Sequence, residues 1–180
     1  EDAFVKNINV ISSGHPIDKV ISNMKGDSII SFTIYDALPN SIEGTFNIYP
    51  KKSDLVTRIS TRMIRRPTGC FEQTSSKNYP NILVYKHLKE VKKLSVATSN
   101  QLIRYMNEGY KNMLRYEIKS DNSNIGNGFD WYGKPDGHEG LTAYALMQFN
   151  EMKDIIPISE SMMNRTANWL LSRRDGNGSW

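Results

Sequence analysis

The chain has 180 residues, a formal net charge of +4, an isoelectric point near 9.1 and 38% apolar residues. That length fits one domain or the parts of two, with enough apolar material for a packed core. No uninterrupted apolar run approaches the roughly 18 to 20 residues of a membrane span. The basic residues are scattered in small groups, Arg62 with Arg65 and Arg66, Lys89 with Lys92 and Lys93, and Arg173 with Arg174. Each group fits a solvated helix face or a helix C-terminus that complements the dipole, and no groove-reading motif accompanies them, so a nucleic-acid partner is not expected.

Residues 1–50 carry the period of half-buried strands. Ile30, Phe32 and Ile34 alternate with Ser31, Thr33 and Tyr35, and Ile42 to Tyr49 alternates in the same way with Phe46 and Ile48 on one face. Asp36 to Asn40 separates the two runs as a turn, with Pro39 breaking the ladder. The expectation is antiparallel β-structure.

After Pro50 the period becomes helical. Ser53 or Asp54 can cap a first helix with Leu55, Val56, Ile59 and Met63 as its apolar positions, which ends where Pro67 intervenes. Pro80 suits the first turn of a second helix, with Leu83, Val84, Leu88 and Val91 apolar. Ser99 or Asn100 opens a third, carrying Leu102, Ile103, Met106, Tyr110, Met113 and Leu114, and residues 138–152 and 159–172 supply a fourth and a fifth. The third and fifth helices are each followed by a glycine-rich turn and an aromatic, Gly126 to Trp131 and Asp175 to Trp180, so a helix pair recurs about every 50 residues. Such recurrence predicts helical hairpins stacked around an axis, an α/α toroid. The fold class expected is therefore mainly α, with a partial toroid over 51–180 preceded by β-strands over 1–50.

Between the first two helices lies Pro67-Thr-Gly-Cys-Phe-Glu-Gln-Thr-Ser-Ser76, holding the only cysteine of the chain. Cys70 and Gln73, at i and i+3, fall on neighbouring positions of one helical turn. A cysteine sulfur so placed can displace ammonia from the glutamine carboxamide and leave an internal thioester. That bond is a stored acyl group which water, an amine or a hydroxyl can open.

Gly69-Cys70-Phe71-Glu72-Gln73 resembles the thioester signature of the alpha-2-macroglobulin and complement family. Further stretches resemble successive parts of that family's thioester domain: Asn81 to Leu88, Asn107 to Tyr110, Asn127 to Gly133, Leu141 to Tyr144 and Trp169 to Gly178. The likeness runs from about Leu38 to Trp180. It implies a helical toroid, of which this chain would hold fewer than half the hairpins, inserted into a small β-sandwich of the CUB type. It also implies a thioester crosslink between Cys70 and Gln73, supported by Gly69, Phe71 and Glu72 and shielded by aromatic residues. Phe71 is a candidate for that shield and also a departure, since vertebrate members usually carry glycine there. If the turn needed a positive φ at this position, phenylalanine would be strained.

The resemblance implies a broad-spectrum endopeptidase inhibitor that captures proteases covalently after bait cleavage, or alternatively a complement-like opsonin of innate immunity that acylates surfaces. Either would be a single-use capture protein without cofactor or metal, not an enzyme. Its partners would be target proteases or cell-surface amines and hydroxyls, together with the other domains of the same longer protein. No signal peptide is visible at the N-terminus, which says little for a region expected deep inside a longer chain. An extracellular location follows from the resemblance alone.

Other readings of the same residues stay open. A lone cysteine is ordinarily a small buried hydrophobe. Cys70 near a helix start can also serve as a hydrolase nucleophile with His87 or His138 as base. His138 fits better as a helix-start residue that satisfies backbone donors, and His15 as a loop residue. Asp130, Asp136 and Glu139 fall close together without a metal-ligand spacing. Trp131, Tyr132, Tyr144 and Trp169 fit core positions better than a ligand box. Asn164-Arg-Thr166 and Asn177-Gly-Ser179 match the glycosylation sequon.

Overall fold

The structure, a computed structural model, describes residues 4–7, 14–23, 29–118, 127–134 and 136–177. The chain divides into two compact units, Glu1–Ile48 and Tyr49–Trp180.

In the first unit the turn expected over 36–40 is present. Asp36 and Asn40 have φ of 54° and 60°, and both the amide and the hydroxyl of Ser41 donate to the Leu38 carbonyl, at 3.1 and 2.7 Å. The strands expected on either side of it are not formed: among the described residues no strand occurs. An alternating segment becomes a strand only when neighbours pair its backbone and cover its apolar face. Here Phe46 and Ile48 remain 86% and 72% exposed, and Phe32 touches the Lys19 ammonium instead of a sheet partner.

Among the described residues the regular elements of the second unit are helices. Its elements are α1 (Lys52–Arg62), α2 (Phe71–Glu90), α3 (Val96–Leu114), α4 (Glu139–Met152) and α5 (Glu160–Ser172). Three helix starts are set by side chains that accept an orphan backbone N–H: Ser95 from Thr98, His138 from Leu141 and Ser159 from Met162. Two of these match the starts read for the fourth and fifth helices. The third helix begins at Ser95, ahead of the expected Ser99 or Asn100. The first begins at Lys51 without a side-chain cap, leaving Asp54 to pair with Lys93 at 2.6 Å.

The second helix differs most. It begins directly after Cys70 and runs 20 residues, so Pro80 lies in its interior and not in its first turn. A proline there lacks the N–H for one helical bond and strains the preceding turn. Burial of the flanking residues outweighs that cost, since Phe71, Thr74, Ser75 and Asn78 before Pro80 and Asn81, Ile82 and Val84 after it are all buried. The helix ends in a Schellman motif. Lys92 adopts a φ of 57°, its N–H reaches the Lys89 carbonyl at 3.2 Å, and the Lys93 N–H reaches that of Leu88 at 2.9 Å.

With so short a connection, α2 and α3 pack side by side in opposite directions, and α4 pairs with α5. The core between the pairs is built from Phe71, Ile82, Leu102, Met106, Phe129, Phe149 and their neighbours. A pair of amides lies within it. Asn78 of α2 and Gln148 of α4, both fully buried, share a bond of 3.3 Å from Asn78 Nδ2 to Gln148 Oε1, and Nδ2 also approaches the Met152 sulfur at 3.3 Å. Asn78 Oδ1 and Gln148 Nε2 have no partner among the described residues. Gly109 of α3 makes room for this amide, since a Cβ there would stand 2.6 Å from Asn78 Cγ.

Candidate functional site

The site is assembled where the chain turns from Pro67 into α2. Pro67 is buried and its carbonyl accepts the Asn112 amide at 3.0 Å; the Thr68 carbonyl accepts Lys77 Nζ at 2.9 Å. Gly69 has a φ of +112°, a conformation that strains any residue with a Cβ. Its carbonyl is held twice, by the Tyr116 hydroxyl at 3.0 Å and by the Thr74 hydroxyl at 3.1 Å.

Cys70 follows in extended conformation as the N-cap of α2, its thiol free and half-buried and making no cap bond. Its carbonyl accepts the Thr74 N–H at 2.9 Å, the first bond of the helix. Gln73 is therefore the third helical residue, N3. Side chains at N-cap and N3 face each other across the first turn, the geometry that a capping box exploits with serine and glutamate. Here the pair is a thiol and a carboxamide. The Gln73 side chain folds back over Gly69 so closely that a Cβ on Gly69 would lie 2.8 Å from Gln73 Cβ and 3.0 Å from Cδ.

Phe71 needs no positive φ, because the left-handed residue of the turn is Gly69. Its ring is fully buried, edge-on to Tyr116 at 6.3 Å and tilted against Phe129 at 5.5 Å. Phe71 thus anchors the start of α2 in the core. Glu72 points the other way, and its Oε2 accepts the Trp131 indole N–H at 3.1 Å.

Trp131 belongs to a segment over 127–133 that runs beside the turn. This segment pairs with the end of α3 through an antiparallel bridge between Glu117 and Phe129, with the Ile118 N–H on the Gly128 carbonyl at 2.9 Å and the Asp130 N–H on that of Tyr116 at 3.3 Å. The Thr142 hydroxyl of α4 accepts the Phe129 N–H at 2.8 Å. Asp130 Oδ2 accepts the backbone N–H groups of Tyr132 and Lys134 at 2.9 and 3.2 Å. These donors, that of Tyr132 first, hold the Asp130 carboxyl below its ordinary pKa. The expectation of four core aromatics holds for Trp169, which is buried, and fails for Tyr132, which is 70% exposed; Tyr144 is half-buried against the Tyr79 ring, and Trp131 lies half-buried at the site.

The two histidines considered as bases stand apart from one another. His87 sits seventeen residues beyond Cys70, about 25 Å along the helix axis, and its Nε2 lies 3.4 Å from the Thr57 hydroxyl. That distance removes it as a base for Cys70. His138 packs its ring edge-on to Trp131 at 4.5 Å, and its Nδ1 caps α4 by accepting the Leu141 N–H at 3.3 Å. Its reading as a helix-start residue is the one observed.

Among the described residues, no group of three or more His, Cys, Asp or Glu could hold a metal ion, and no helix is long and apolar enough to cross a membrane. A groove of about 450 Å3 between α4 and α5 is lined by Leu146, Met147, Met163 and Ala167 among others, and by none of the motif residues. Asn164 is exposed within α5, whereas Ser179 of the second sequon and residues 178–180 of the second glycine-rich repeat lie outside the described residues. The Asn107 to Tyr110 stretch supplies structural contacts: Gly109 receives Asn78, and the Tyr110 hydroxyl accepts the Ser159 N–H at 3.2 Å.

The chain is 27% identical over 134 residues to Thioester-containing protein 1 allele R1 of Anopheles gambiae, covering 74% of this chain and 10% of that protein. It is 21% identical to Alpha-2-macroglobulin-like protein 1 of Mus musculus, covering 99% of this chain and 12% of that protein. The chain thus spans about a tenth of the length of these curated relatives. The family model described as the A-macroglobulin TED domain matches residues 49–180, the whole helical unit with the Cys70 turn at its start. This chain belongs to the A-macroglobulin TED domain family.

Proposed function

We propose that Cys70 and Gln73 form an internal thioester, and that the longer protein containing this chain uses it to capture targets covalently once per molecule. In forming the bond the Cys70 sulfur attacks Gln73 Cδ and ammonia leaves; in using it an amine or hydroxyl takes the acyl group and frees the thiol. The observation that carries this reading is the fold of Gln73 over Gly69, which sets the carboxamide against the residue next to the thiol. One relative's name, Thioester-containing protein 1, supports the same chemistry.

The target class we favour is the protease of an alpha-2-macroglobulin-like endopeptidase inhibitor, captured through its lysine amines after bait cleavage outside the cell. The name of the mouse relative supports it. In the same reading residues 1–50 are part of a CUB-like domain and 51–180 the first hairpins of a toroid whose remainder lies elsewhere in the protein.

The test is peptide mass spectrometry across Arg66 to Lys77 in the native full-length protein, with and without methylamine. A Cys70 that resists alkylation until methylamine frees it, with methylamine appearing on Gln73, supports the thioester. A Cys70 that alkylates freely beside an ordinary Gln73 amide overturns it. Incubation with an active protease then separates the target classes: protease lysines on Gln73 support the inhibitor, and carbohydrate hydroxyls on Gln73 would replace it with a complement-like opsonin.

A further inference from the structure

We propose that Trp131 is a positioning residue for the Cys70–Gln73 chemistry, holding the first turn of α2 in the rotation that the thioester requires; this rests on the function proposed above.

The two residues between the thiol and the carboxamide, Phe71 and Glu72, are both bound by Trp131. Its carbonyl accepts the Phe71 N–H at 3.3 Å, one of the orphan donors of the helix start, and its indole N–H donates to Glu72 Oε2 at 3.1 Å. On the other side of Cys70, the Gly69 carbonyl is fixed by the Tyr116 hydroxyl at 3.0 Å. Tyr116 and Trp131 are themselves tied together, because the Asp130 N–H bonds the Tyr116 carbonyl. Cys70 is thereby gripped on both flanks by one structural unit, the end of α3 with the segment over 127–133. That unit is in turn rooted in the core through Phe129, which is fully buried against Phe71 and Phe149.

A helix start is the part of a helix most prone to fray. Fraying would let the thiol and the carboxamide rotate apart, and a ring closure between neighbouring groups is steeply sensitive to such misplacement. Nothing in the packing of Trp131 demands an indole. The ring is half-buried and meets His138 edge-on, a contact that phenylalanine can keep. What the indole adds is the single donor aimed at Glu72.

The experiment uses the native full-length protein with Trp131→Phe, Glu72→Ala, Glu72→Gln and the double variant Trp131→Phe/Glu72→Ala. The fraction of Cys70 resistant to alkylation and the rate at which methylamine frees the thiol are measured beside the thermal transition. Trp131→Phe and Glu72→Ala should each lower the protected fraction or speed thiol release by about three- to tenfold, and the double variant should be no worse than either alone. Glu72→Gln, which keeps an acceptor for the indole, should retain most of the wild-type behaviour. Trp131→Phe matching wild type in both readouts, additive effects in the double variant, or changes that only follow the melting temperature would each overturn the assignment. Freely alkylated Cys70 in the wild type would overturn the thioester and this role together, and so is distinguishable from a failure of the variants alone.

Discussion

Replacing Gly69 with alanine tests the turn on which the site depends. At a φ of +112° a Cβ strains the backbone, at a cost of about 1–3 kcal/mol. The new methyl would also stand 2.8 Å from Gln73 Cβ, an atom that cannot retreat without moving the first turn of α2. Against these, alanine removes freedom from the unfolded chain, worth about 0.4–1 kcal/mol. A net loss of about 1–3 kcal/mol is expected, a factor of roughly 5 to 150 in the folding equilibrium. Urea denaturation of this chain, followed by tryptophan fluorescence, measures it. Gly176→Ala is the control: its backbone is not left-handed and a Cβ there meets nothing within 4 Å, so its effect should stay within about 0.5 kcal/mol of wild type. In the full-length protein Gly69→Ala should also expose Cys70 to alkylation, because Gln73 is displaced. A Gly69→Ala chain as stable as the Gly176→Ala control, with Cys70 still protected, would refute the argument that this glycine makes room for the carboxamide.

Three further outcomes follow from the packing. Gly109→Ala should destabilise the chain by about 1–3 kcal/mol in the same urea assay, because the methyl would enter the space of the buried Asn78 amide. Phe71→Ala should cost about 3–5 kcal/mol, since the ring is fully buried between Tyr116 and Phe129; amide hydrogen exchange should show protection lost at the start of α2 before the other helices. The lowered pKa of Asp130 makes its contribution complete above its ordinary value of 3.8 and lost as pH falls through the lower folded value. Asp130→Asn should therefore flatten that part of the acid limb in melting temperatures measured between about pH 2 and 6.

The motif and two of the helix starts were legible because they depend on neighbours in sequence. Cys70 and Gln73 are three residues apart, and His138 and Ser159 cap the residues that follow them. Pro80 misled for the opposite reason. Its local preference for a first turn is real, but the burial of Phe71, Thr74, Ser75 and Asn78 extends α2 back to Cys70, and that burial comes from α3, α4 and Phe129. On composition Ser99 and Asn100 are caps as good as Ser95, and only the packing of α3 selects between them. The alternation over 30–35 and 42–49 carried the strand period without the partners that a ladder needs. Trp131 looks like a core residue in sequence because nothing in its neighbourhood points to a glutamate 59 residues earlier; the nearest signal is its place in the stretch Asn127 to Gly133.

The amide pair inside the helical core sets a height as well as a contact. Apolar side chains would let two helices slide past one another by a turn, about 5.4 Å, with modest repacking. Asn78 and Gln148 oppose it, since such a slip would break the bond they share and leave further buried amide atoms unpaired, at about 1–3 kcal/mol apiece. Asn78 lies five residues beyond Gln73, about 7.5 Å along α2. The pair therefore acts as a detent, and the level at which the Cys70 turn stands beside the Trp131 segment is fixed by a bond buried one and a half turns further along the same helix.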